Sequence, residues 1–132
     1  MIYVEGGTKA QKLYAYSMAE FVCKKFNINP DIEISFRSLK KERSVGGCVH
    51  LDNHEYEIDI ERTLRLREML TTLAHELVHV KQYELGQLNH CAEEEFDYWD
   101  KPSEIEAHGR EMGLFVTWAE QNNLAHKKWT QV

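Results

Sequence analysis

The sequence predicts a single α+β domain spanning residues 1–132: an N-terminal helix, a short and mostly antiparallel three-stranded sheet, then two further helices. Three observations predict it. Apolar residues recur at helical spacing in three long segments, polar and apolar residues alternate in the segments between the first and second, and no repeat, low-complexity tract or proline-rich linker divides the chain. At 132 residues it can bury a modest core without disulfide staples.

The first helix is read over 9–26, where Leu13, Tyr16, Met18, Phe21 and Val22 stand at near-helical spacing and Asn27, Asn29 and Pro30 end the run. In "DIEISFRS", Ile32, Ile34 and Phe36 share one face of a strand. "CVHLDNHEYEIDIE" alternates on both sides of "DNHE" and reads as an antiparallel hairpin, with Val49, Leu51, Tyr56, Ile58 and Ile60 inward and Glu55, Glu57, Asp59 and Glu61 outward. A helix from about 64 to 85 follows, then an acidic loop, "GQLNHCAEEEFDYWDKP", and a final helix from about 103 to 124.

Charge is uneven along the chain. Residues 1–67 carry eleven Lys/Arg against ten Asp/Glu, and residues 68–132 carry five against twelve, so the formal charge of −6 arises in the second half. That balance disfavours a nucleic-acid binder, and the basic cluster Arg37, Lys40, Lys41 and Arg43 reads as a solvated loop. No apolar leader and no run of membrane-spanning length is present, so a cytoplasmic protein without membrane association is expected. Cys23, Cys48 and Cys91 lack C-x-x-C spacing and read as reduced thiols.

The chemistry concentrates in "LTTLAHELVHVKQY", residues 70–83, which contains H-E-x-x-H as His75, Glu76 and His79. On a helix, residues four apart lie about 40° apart on one face, one turn above the other, so two imidazoles can reach one ion. Glu76 is turned about 100° from His75 and suits a general base acting on a water rather than a ligand. Leu70, Leu73, Ala74, Leu77 and Val80 form the packing stripe on the other side, so the histidines are expected to face away from it.

A catalytic zinc site needs a third protein ligand, and "KPSEIEAHGREMGLFVTWAEQ" offers candidates. Ser103 and Glu106 have the spacing of a capping box, which gives Glu106 a structural task. Ile105, Met112, Phe115, Val116 and Ala119 share a broad apolar face, with Glu104, His108 and Glu111 at its edge. A carboxylate or histidine turned toward a core needs a partner or a metal, so Glu104 is favoured as third ligand; His108 is the alternative, as ligand or as a hydrogen-bond partner of one.

"HELVH" and "PSEIEAHG", joined through a helix end at Leu85 and Gly86, resemble the compact gluzincin-type metallopeptidases, in which H-E-x-x-H is followed by a glutamate on a downstream helix. The resemblance covers roughly residues 55 to 115. It implies a small zincin-like domain, one Zn²⁺ held by His75, His79 and Glu104, Glu76 as base and proton shuttle, and a peptide or protein substrate. It also implies that the strand "YEIDIE" borders the cleft and pairs with an extended peptide. The transition-state donor of that family is a Tyr or His, for which Tyr83 and Tyr98 are candidates. Larger members commonly carry an acidic residue where this chain has His108.

The chain is also similar to SprT-like proteases, in which the third ligand is a His, and to ImmA/IrrE-like regulatory peptidases. In the SprT-like reading His108 would bind the metal and "SLKKER" would dock on DNA. A non-enzymatic alternative is a zinc-stabilised or metal-free interaction protein using "CAEEEFDYWD" as its contact surface. His50, His54, His90 and His126 lack partners at ligand spacing and read as bystanders.

Overall fold

The computed structural model describes residues 1–88 and 90–131, with His90 and Cys91 described through their backbone alone. The order of elements is β1 (Ile2–Glu5), α1 (Lys9–Phe26), β2 (Asp31–Arg37), β3 (Gly46–Asp52), β4 (Glu55–Glu61), α2 (Leu66–Glu84), α3 (His90–Glu93) and α4 (Pro102–Gln121). The last turn before α4 is a 3₁₀ turn at Tyr98–Asp100, and a second lies at Lys128–Thr130. Among the described residues no helix is long and apolar enough to cross a membrane.

The α+β class and the three long helices agree with the sequence, and the sheet corrects it. It has four strands in the order β1-β2-β4-β3, with β1/β2 and β2/β4 parallel and only β3/β4 antiparallel. Connection length explains this: α1 crosses between β1 and β2, which permits parallel pairing, whereas the two-residue turn after Asp52 permits only a hairpin.

Register decides which side chains reach the core. Ile32, Ile34, Tyr56, Ile58 and Ile60 are buried under the helices. In the hairpin Val49 stands opposite Glu57 and Cys48 opposite Ile58, so Cys48 shares the core face and Val49 the solvent face. Val49 and Leu51 are therefore exposed, against expectation. Glu61, expected outward, is buried because its carboxylate accepts from the backbone N–H groups of Leu39 (2.8 Å) and Thr63 (2.9 Å) and from the Thr63 hydroxyl (2.7 Å). It thereby anchors the loop that leads into β3.

α1 starts with a capping box: the Gln11 N–H donates to Thr8 Oγ1 (3.1 Å) and the Thr8 N–H to Gln11 Oε1 (2.8 Å). It ends at Asn27, whose φ of 54° is the left-handed cap conformation. Its buried face is Ala15, Met18, Ala19, Val22 and Cys23; Leu13 and Tyr16 are exposed.

α2 runs through the middle of the domain, against β3 and β4 and between α1 and α4. It is buried almost all round from Met69 to Gln82, so His75 and His79 lie inside the molecule and not on a solvated face. α4 packs along α2 through Ala107, Leu114, Phe115 and Trp118, leaving Ile105 and Met112 exposed on its outer side.

Candidate metal centre

Four parts of the chain meet at the middle of α2. β3 contributes its first residues, α2 contributes His75, Glu76 and His79, the 3₁₀ turn contributes Tyr98, and α4 contributes Glu104, His108 and Glu111. A cavity of about 350 Å³ opens here, lined among others by Gly46, Cys48, His75, Glu76, His79 and Glu104. Gly46 is required by the close approach of β3 to α2: a Cβ there would stand 2.6 Å from Thr72 Cγ2 and 3.4 Å from Glu76 Oε2.

The two histidines of α2 present ring nitrogens to one carboxylate. His75 Nε2 lies 3.0 Å from Glu104 Oε1, and His79 Nε2 lies 3.3 Å from Glu104 Oε1 and 3.2 Å from Oε2. Among the described residues, two groups of side chains have donor atoms close enough to hold a metal ion, with all atoms within 4.8 Å of one another: His75, Glu76 and His79, and His75, His108 and Glu111; Glu104, expected as third ligand, belongs to neither.

α4 is placed by contacts that the sequence does not advertise. The expected capping box between Ser103 and Glu106 is absent: Pro102 starts the helix and no side chain of its cap residue bonds to it. Buried Glu93 takes the cap's task, accepting from the Ser103 N–H (3.0 Å) and the Ser103 hydroxyl, a favourable place for an anion at a helix N-terminus. Glu106 instead accepts from Lys81 Nζ, Gln82 Nε2 and Arg110 Nε.

His108 has both ring nitrogens engaged, Nδ1 with Glu111 (2.8 Å) and Nε2 with Tyr98 Oη (3.0 Å), while its ring meets that of His75 edge-on at 4.4 Å between centroids. Tyr98 Oη also donates to Glu104 Oε1 (3.0 Å). Tyr83 also lines the cavity and packs on His50. Of the two tyrosines singled out from the sequence, Tyr98 is the one hydrogen-bonded to the carboxylate of this cluster.

The electrostatics follow from burial and pairing. Burial alone would raise the Glu104 carboxyl, yet hydrogen bonds from His75, His79 and Tyr98 hold it well below the usual carboxylate range. Burial would lower both imidazoles, and the contact with Glu104 and the charge of Glu76 bring them out above their ordinary value. The site thus favours positive charge between the carboxylate and the two rings. The Glu76 carboxyl is raised, chiefly by burial, against the lowering influence of His75 and His79. Burial and the nearby Glu76 charge raise the Cys48 thiol, which keeps it protonated near neutral pH and unsuited to be a nucleophile.

Of the remaining histidines, His50 stacks on Tyr56 and meets Tyr83 at a tilt, and His54 pairs with Glu84 at 2.9 Å. The readings of His90 and Cys91 lie outside the described side chains. β4 does not border the cleft as an open edge, because it pairs with β2 on one side and β3 on the other. The open edge beside the cavity belongs to β3. The close approach of β3 to α2 has a sequence signal in the glycines of "SVGGC" at the start of a strand, of which Gly46 makes the contact and Gly47 faces open space.

No protein-family model, curated protein or solved structure matches this chain.

Proposed function

We propose that the protein is a zinc-dependent peptidase whose metal is held by His75, His79 and Glu104. The convergence of the two Nε2 atoms on one carboxylate carries this reading. Ligands bound at about 2.0 to 2.1 Å in a tetrahedral arrangement stand about 3.3 Å apart. The contacts of Glu104 with the two rings, at 3.0 and 3.2 Å, are close to that separation. The donor set also fits: two neutral imidazoles and a carboxylate are a familiar zinc combination, and lone pairs facing one another at such distances require a cation or proton between them.

Zinc, when bound, supplies Lewis acidity toward a water molecule and a substrate carbonyl. The chain supplies the rest. Glu76, buried and with its carboxyl raised by that burial, takes a proton from the attacking water at its carboxylate and returns it to the leaving amine. Tyr98, with its hydroxyl 3.0 Å from Glu104, is placed to donate to the oxygen that gains charge in the transition state. The unpaired edge of β3 offers backbone groups to an extended peptide, and this replaces the expected role of β4. Beside the centre, a second cavity of about 590 Å³ shares Thr72 and Glu111 with its surroundings and leaves room for substrate side chains.

Glu104 is preferred to His108 as third ligand because both nitrogens of His108 are occupied by Glu111 and Tyr98. The test is zinc content and peptide hydrolysis measured together. Wild type should carry one zinc per chain and cleave peptides. Glu76→Gln should keep the zinc and lose about 10²- to 10⁴-fold in turnover, and His79→Ala should lose the zinc. Undiminished hydrolysis by zinc-loaded Glu76→Gln would remove Glu76 from the mechanism; a wild type that takes up no zinc would remove the whole reading.

A further inference from the structure

Gln82 stands one turn beyond the H-E-x-x-H stretch and is 2 % exposed. Its amide makes three hydrogen bonds that run in two directions. Oε1 lies 2.8 Å from His79 Nδ1, while Nε2 donates to the Ser103 carbonyl (2.9 Å) and to Glu106 Oε1 (2.9 Å). The last two partners can only accept, so the NH₂ end must face them and the carbonyl end must face His79. His79 Nδ1 is then obliged to carry a proton, which leaves Nε2, the nitrogen facing Glu104, as the one that can give its lone pair to a metal ion.

We infer that Gln82 is a positioning residue of the metal centre, an inference that rests on the metal-binding reading above. One end of its amide sets the tautomer and rotation of His79. The other ties α2 to the first turn of α4, at the residue next to Glu104. Ligand orientation and the spacing of the two ligand-bearing helices are therefore controlled by one side chain. His75 has no equal support: its Nδ1 lies 3.4 Å from Glu111 Oε1, and that oxygen is also engaged by His108 at 2.8 Å. The two histidines are thus unequally held, and the inference predicts that His79 is the pre-set one.

The experiment measures zinc affinity by chelator competition and apo-protein stability in urea, for wild type, Gln82→Leu and Gln82→Glu. Gln82→Leu removes both ends of the link and should weaken zinc binding about 10- to 100-fold. Gln82→Glu keeps an acceptor for His79 Nδ1 and should recover most of that affinity. It cannot donate to Ser103, and it faces Glu106, so its urea midpoint should stay low. A merely structural role would move affinity and stability together in both variants, and an affinity not recovered in Gln82→Glu overturns the inference. Should either variant fail to fold, nitrogen-15 NMR of zinc-loaded wild type reads the tautomer directly: a proton on His79 Nδ1 is expected, and metal on Nδ1 refutes it. Wild type without zinc would overturn the metal centre as well; zinc binding unchanged in Gln82→Leu overturns the role of Gln82 alone.

Discussion

Replacing Glu104 by Gln tests the metal centre with little change of shape. The side chain keeps its length and loses its charge, at a position that contacts both imidazoles and the Tyr98 hydroxyl. A structural zinc site with four ligands is worth about 10–16 kcal/mol near neutral pH, so one ligand of four carries about 2.5–4 kcal/mol. At about 1.4 kcal/mol per tenfold change, zinc affinity should fall by roughly 10²- to 10³-fold. Competition with a chromophoric chelator reads this on purified protein, and far-UV circular dichroism checks that the helices persist. His108→Ala, run in parallel, should weaken binding much less, because His108 is tied to Glu111 and Tyr98. Unchanged affinity in Glu104→Gln together with loss in His108→Ala would refute the reasoning and favour a site built on His75, His108 and Glu111.

Two further predictions concern the surroundings of the site. Tyr98→Phe removes the hydroxyl that touches Glu104 and should lower kcat about a hundredfold with little change in KM, measured by peptide hydrolysis under saturating zinc. Glu61 is held down to about 2 by hydrogen bonds from Leu39 and Thr63. A carboxyl depressed in the folded state stabilises the fold above its unfolded pKa, and that contribution disappears as pH falls toward 2. The stability difference between wild type and Glu61→Gln should therefore be full near neutrality and shrink on acidification through that window, as followed by urea midpoints at a series of pH values.

Much of this architecture is legible in the sequence, because helical periodicity and the alternation of β2 and β4 are local signals. β1 is not legible: "IYVE" is too short to show a pattern, and its pairing with β2 depends on where α1 returns the chain. Parallel pairing is hidden for a related reason, since alternation reports a buried face and not a partner. The capping motifs show how tertiary contacts decide between equal local candidates. Thr8 and Gln11 form the box in α1, while Ser103 and Glu106, with equivalent spacing, are claimed by Glu93, Lys81 and Gln82. The H-E-x-x-H stretch is visible as ligand types at ligand spacing, and Glu104 as a carboxylate at the edge of an apolar helix face, with His108 as its alternative. Gln82 is not, because its hydrogen bonds to His79, Ser103 and Glu106 depend on how α2 and α4 pack and leave no spacing rule in the chain.

The shift in register between His50 and Asp52 ends the regular part of β3 after only a few residues from Gly46. An exposed strand edge is a template on which other chains can stack without limit, and a bulge that breaks the ladder is a common safeguard. At the opposite end of the sheet β1 is equally brief and closes with Glu5. Neither edge is long enough to seed an extended sheet. The domain can thus keep an edge open beside its histidine and carboxylate cluster and still resist self-association through its own strands.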